Sequence, residues 1–115
     1  MKILMIEKII AIKDLAKIGE EGFGDMVKAV VDIERKIMAV GGELHADEEA
    51  LLLSLGSKQE NLWGINLYPQ KKGEEFIEFD SVINLKPGQG NRSRSIEDLQ
   101  IQQRVKEVVR RLINT

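Results

Sequence analysis

The chain has 115 residues, 43% of them hydrophobic and 31% charged, with a formal net charge of −2 at pH 7. This length and composition predict a single globular domain, residues 1–115, with one modest core. The near-neutral charge argues against a surface built to bind nucleic acid. Because the chain contains no cysteine, disulfides, thiolate metal sites and cysteine nucleophiles are excluded.

The N-terminal stretch is apolar, but Glu7, Lys8, Lys13 and Asp14 interrupt it. It has neither a long uncharged run nor a small-residue cleavage site, so it fits neither a transmembrane helix nor a signal peptide. We therefore expect a cytoplasmic protein without membrane contact. Residues 2–6 are predicted to form a short strand, and an amphipathic helix is predicted from residue 12 until the glycines at positions 19, 22 and 24.

Two interpretations compete for residues 26–40. A helix is possible because apolar residues also recur there at helical spacing, with Gly41 available as the C-terminal cap. A β-hairpin is favoured because β-branched residues crowd this window and alternate, whereas a helix would leave Val27 and Val31 on its polar flank. The hairpin turn would lie around residues 34–36, which lack an Asn-Gly signal.

A short helix is predicted over residues 46–55, with acidic side chains in its first turn and Gly56 immediately after its last. Strict alternation of apolar and polar residues predicts a strand over residues 63–68, ended by Pro69. After a turn at residues 70–73, a second alternating strand is predicted over residues 75–85.

Residues 86–95 form a glycine-rich, basic loop, and a long amphipathic helix is predicted over residues 96–113. Ser95 and Asp98 have the spacing of a capping box at the start of that helix. The predicted fold class is α+β: a small, mostly antiparallel sheet with an N-terminal helix, a short middle helix and a long C-terminal helix packed on it.

Several ordered motifs cover the chain from Gly24 onward: GDMVKAVVDIE, GGELHAD, GSKQENLWGINLYP, IEFDSVIN and NRSR. By these motifs the chain resembles a small, uncharacterised prokaryotic family of unknown function. The resemblance implies a complete domain rather than a fragment. It implies no activity, ligand or cofactor.

The first candidate site contains the single histidine. Glu43, His45 and Asp47 are spaced by two residues, so in extended backbone they would project from one face as two carboxylates and an imidazole. These groups are the candidates for catalysis, as proton-transfer groups or by metal assistance. The competing interpretation favours structure over a metal site, because carboxylates at a helix start stabilise the first turn.

The second candidate site is the loop at residues 86–95. Its glycines permit close backbone approach, and Arg92 and Arg94, with Asn91 beside them, suit a phosphate or carboxylate. Arginines just before a helix N-terminus are unfavourable unless a negative group lies there. That group is either an internal carboxylate, which is the favoured interpretation, or an external anion. Asn66 and Asn84 lie on the polar face of the predicted strands, and this face is either exposed to water or joins the arginine loop as the wall of a pocket.

Two hypotheses for function follow. In the first, the protein binds a phosphate-bearing small molecule or nucleotide through the basic loop. A stronger version of this hypothesis adds hydrolysis of the bound molecule. In the second, it is a non-catalytic interaction module or homo-oligomer, and the same residues form a structural ion-pair network. The sequence does not decide whether the protein is an enzyme, and it identifies neither a cofactor nor a metal.

Overall fold

The computed structural model describes residues 2–115. Helices and strands alternate irregularly along the chain, as expected for the α+β class. The strands are β1 (Leu4–Ile6), β2 (Ile10–Ala11), β3 (Val27–Asp32), β4 (Ile37–Val40), β5 (Leu62–Leu67), β6 (Ile77–Glu78) and β7 (Ile113–Asn114). The helices are α1 (Ile12–Glu20), α2 (His45–Ser54) and α3 (Leu99–Leu112).

Five of the strands form one antiparallel sheet in the order β1-β4-β3-β5-β6. Strands β3 and β4 form a hairpin in which Asp32 lies opposite Ile37, so the hairpin prediction for residues 26–40 is confirmed. The Asp32 carboxylate replaces an Asn-Gly signal in the turn, because it accepts hydrogen bonds from the N–H groups of Glu34 and Arg35, each at 3.0 Å.

The sheet buries both of its faces. Helices α1 and α3 pack on one face, against the alternating apolar residues of β3 and β5, and α2 packs on the other face through Leu52. This arrangement confirms the predicted α+β domain with three helices on a mostly antiparallel sheet. No helix within residues 2–115 combines the length and the apolarity that crossing a bilayer requires.

The predicted strand over residues 75–85 is mostly wrong. Only Ile77–Glu78 is a strand, flanked by 3₁₀ turns at Gly73–Phe76 and Val82–Asn84. The chain leaves the sheet here because Ser81 lies over Gly64 of β5, where an added Cβ would be 2.5 Å from the Ser81 Cβ. Apolar and polar residues keep alternating through residues 75–85, so the sequence pattern does not show that the chain turns away from β5.

The start of the last helix also differs from the prediction. Helix α3 begins at Leu99, and its N-cap is Asp98, whose carboxylate accepts a hydrogen bond from the Gln100 N–H at 2.8 Å. Asp98 thus has the cap role that was assigned to Ser95. The C-terminal end of α3 continues into β7, which pairs in parallel with β2 and so joins the first and last parts of the chain.

Candidate functional site

The basic loop is organised from inside by Asn91. Its Nδ2 donates to the carbonyl oxygens of Asn84, Ser93 and Ser95, and its Oδ1 accepts from the Glu97 N–H at 2.8 Å. Asn91 is buried, and both the nitrogen and the oxygen of its side-chain amide have partners within the protein. The residue predicted to bind a ligand therefore has partners within the loop.

The two arginines of the loop are both exposed but differ in their partners. Arg94 Nε donates to Asp80 Oδ1 at 2.7 Å, and this contact raises the pKa of the Arg94 guanidinium. The Arg92 N–H donates to the Glu97 carboxylate at 2.8 Å. Together with the Asp98 cap, Glu97 places negative charge at the start of α3, which is the internal carboxylate that the helix-dipole argument requires.

Asn84 and Asn66 have different environments. Asn84 is fully buried, accepts from Gly64 N at 2.8 Å, and donates to the carbonyl oxygens of Gly64 and Arg94, each at 2.9 Å. Asn66 donates to Glu78 Oε1 at 2.8 Å, while its own buried Oδ1 has no hydrogen-bond partner. Asn84 thus holds the loop to β5, and Asn66 belongs to a polar row across the edge of the sheet.

The three predicted catalytic residues do not project from one extended face, because α2 already begins at His45. Glu43 and Asp47 are exposed, whereas His45 is half-buried with Nε2 2.8 Å from the Ile65 carbonyl oxygen. Since a carbonyl only accepts, Nε2 carries the proton. Burial lowers the pKa of His45, so the ring is neutral near pH 7 and serves to fasten α2 to β5.

Glu48, one turn after His45, is a buried carboxyl group that the sequence analysis did not single out. It is 0% exposed, its Oε2 accepts from the Gly42 N–H at 2.9 Å, and its Oε1 has no partner. Burial raises the pKa of Glu48 to about 9, so the group is protonated at neutral pH. Gly42 is required here, because a Cβ would lie 2.9 Å from the Glu48 Cγ.

A groove lies elsewhere in the described residues, between α3 and the connection from β5 to β6. It has a volume of about 760 Å³, within the range of small-molecule sites. Its floor is apolar and combines residues from five segments. The floor residues are Ile12, Phe76, Ile77, Val109 and Ile113.

Four cations line this groove, two from each of two segments that we call its walls. Lys71 and Lys72 come from the β5–β6 connection, and Lys106 and Arg110 come from α3, one helical turn apart. Glu74 is the single acidic residue in the lining. The ion pairs within residues 2–115 are Arg94 with Asp80 and Arg104 with Glu34, so they involve none of the groove cations.

On each wall, the ammonium group of one lysine lies over an aromatic ring. Lys71 Nζ is 4.6 Å from the centroid of the Tyr68 ring, and Lys106 Nζ is 6.0 Å from that of Phe79. Such contacts hold a cation in place without neutralising its charge. The groove therefore combines a positive rim with an apolar floor.

Comparison with protein families identifies a family that matches the chain. The profile of a family described as "Protein of unknown function (DUF5674)" matches residues 4–112, nearly the whole chain. The chain belongs to this family. The resemblance to an uncharacterised family is thereby confirmed, and the match includes β1 and α1, which precede the motifs that indicated it. No curated protein and no solved structure matches the chain.

In this DUF5674 domain, none of the residues predicted for catalysis or ligand binding lines the groove. Sequence reasoning missed the groove because its cations are dispersed, two in a turn and two on a helix. One signal was present: Lys106 and Arg110 have i, i+4 spacing on the polar flank of α3, beside buried Val109. What the sequence did not contain was the packing of the Lys71-Lys72 turn opposite them.

Proposed function

We propose that the protein binds a phosphate-bearing small molecule, and that the groove between α3 and the β5–β6 connection is the binding site. The observation that carries this proposal is the set of four cations, unpaired with carboxylates, around a groove of about 760 Å³. A phosphate between Lys106 and Arg110 on one wall and Lys71 on the other would satisfy charges from both sides.

The proposal retains the class of ligand expected from the sequence but relocates its site. Asn91 and Arg94 of the basic loop, and Asn84 before it, have partners within the protein, which supports a structural role for these residues. Hydrolysis is not part of the proposal, since His45, Glu43 and Asp47 lie outside the groove lining.

Thermal unfolding tests the proposal. Phosphate or pyrophosphate at ten times its Kd should raise the Tm by roughly 3–8 °C through mass action on the folded state. Sodium chloride at matched ionic strength screens charges without binding, so it should not reproduce the shift. A wild-type Tm that is the same in phosphate, pyrophosphate and sodium chloride would refute phosphate binding.

Two double variants locate the site. Lys106→Gln with Arg110→Gln should abolish the shift, whereas Arg92→Gln with Arg94→Gln should preserve it. The two pairs are matched, because each removes two positive charges from surface side chains. Loss of the shift in the loop variant alone would return the anion site to residues 86–95, and circular dichroism checks that both variants fold.

A second candidate function is self-association through α2. Leu53 and Leu55 are 41% and 48% exposed, and the turn Val82–Asn84 beside α2 adds Val82, which is 61% exposed. A second copy of the chain would cover this surface by isologous contact. Sedimentation equilibrium should then show a dimer that Leu53→Lys with Val82→Lys converts to a monomer, and a monomeric wild type would eliminate this candidate.

The cytoplasmic location expected from the sequence stays a prediction. Cell fractionation of the native protein checks it.

A further inference from the structure

We infer that the ligand of the groove is an amphiphile: a phosphate headgroup on a single aliphatic chain. This inference rests on the proposed function and specifies the chemical class of its ligand. It follows from the floor of the groove, whose apolar residues have no role in binding a phosphate by charge.

The floor offers apolar contact over its whole length. Ile12, Phe76 and Ile77 are half-buried, and Val109 and Ile113 are buried. An apolar surface of this kind favours a ligand body that loses contact with water on binding. A ligand that was only an inorganic ion would leave the floor uncovered.

The walls offer little for reading a polar ligand body. The lining contains no Asn, Gln, Ser, Tyr or Trp side chain, and its one hydroxyl side chain belongs to Thr115. Recognition of a nucleobase or a sugar depends on placed hydrogen-bonding groups, and a site that lacks them discriminates poorly in favour of such bodies. The lining therefore offers positive charge and hydrocarbon, and few other hydrogen-bonding side chains.

The test measures binding to the full-length protein by amide chemical shifts of the groove residues. Butyl phosphate, octyl phosphate and adenosine monophosphate are compared below their aggregation concentrations. Each buried methylene should tighten binding about fourfold, so the four additional methylenes of octyl phosphate should tighten binding about 250-fold over butyl phosphate if all are buried, and at least about tenfold if only two are buried. Adenosine monophosphate should bind no better than butyl phosphate.

A floor variant separates the two parts of the ligand. Ile77→Thr keeps a β-branched residue in β6 but places a hydroxyl on the floor, so it should weaken octyl phosphate and leave inorganic phosphate unchanged. Ile9→Thr is the matched control, because Ile9 is 65% exposed and lies outside the lining. Equal weakening by the two variants would contradict a chain bound on the floor.

The outcomes distinguish the inference from the proposed function. If adenosine monophosphate binds the groove as tightly as octyl phosphate, the amphiphile inference falls while phosphate binding stands. If no phosphate compound shifts the groove amides, both fall. Vesicles containing phosphatidylglycerol identify the source: co-sedimentation with vesicles and no binding of monomeric octyl phosphate would replace the soluble ligand by a membrane surface.

Discussion

Glu48 couples the stability of the protein to pH. Its carboxyl group, carried by α2, is buried against Gly42. The charges that act on it are those of Lys28 on β3 and Asp47 on its own helix. The pKa is about 9 in the folded state, against 4.5 for an ordinary glutamate. Folding therefore keeps a proton on this group that the unfolded chain releases.

We expect the free energy of unfolding to fall as pH rises between these two values. The folded state binds more protons there, so this group contributes stability that is complete below pH 4.5 and is lost progressively up to about pH 9. The slope from one group is at most about 1.4 kcal/mol per pH unit. Urea unfolding of the wild type and Glu48→Gln at pH 5, 7 and 9 measures it.

Glutamine is neutral at every pH, so the variant should lose this slope and be the more stable protein at pH 9. Glu49→Gln, at the next position of α2, is the comparison for the loss of a charge. A wild type and a Glu48→Gln variant with parallel pH profiles would show that Glu48 ionises normally.

At the scale of elements, the start of α3 depends on one side chain. Asp98 accepts from Gln100 N at 2.8 Å and satisfies an N–H group that has no partner within the helix. Asp98→Ala should lower the free energy of unfolding by about 1 kcal/mol. Ser95→Ala should change it by less than about 0.5 kcal/mol, because exposed Ser95 is not the cap. Denaturant unfolding of both variants checks this, and a reversed order would move the helix start to Ser95.

The elements that the sequence predicted correctly are those whose pattern arises within the element. The β3–β4 hairpin shows this, because β-branched residues are buried on both faces of its strands, whereas a helix would leave Val27 and Val31 on its polar flank. The prediction of α2 likewise relied on Gly56 as the residue that ends the helix, and Gly56 adopts the positive φ of 99° that suits this role. The strand prediction for residues 75–85 is wrong because the deciding contact is non-local. The Asn84 side chain bonds to the backbone of Gly64, 20 residues away, where a neighbouring strand would otherwise pair.

The same distinction applies to the sites. The basic loop was recognisable as a cluster of residues adjacent in sequence, and the structure gives that cluster internal partners such as Glu97. The groove needs residues from both ends of the chain and from its middle, such as Ile12, Lys72 and Arg110. No short-range pattern could bring these together.

At the scale of the whole molecule, stability should be graded from the centre of the sheet to the chain ends. Strand β3 is hydrogen-bonded on both sides and buried, while β2 and β7 form a two-residue pair by themselves. Native-state hydrogen exchange should therefore be slowest at Val30 and Val31 and much faster at Ala11 and Asn114. Equal protection at these sites would mean that the chain-end pair opens only with global unfolding.

The pairing of β2 with β7 also affects when the molecule becomes able to bind. One wall of the groove and two of its five floor residues, Val109 and Ile113, come from residues 106–115, so these parts are synthesised after every other groove segment. A nascent chain that has passed β5 can complete the centre of its sheet but has no groove. A ligand would consequently stabilise only chains that contain residues 106–115. Products truncated before residue 106 would receive no protection from proteolysis at any ligand concentration.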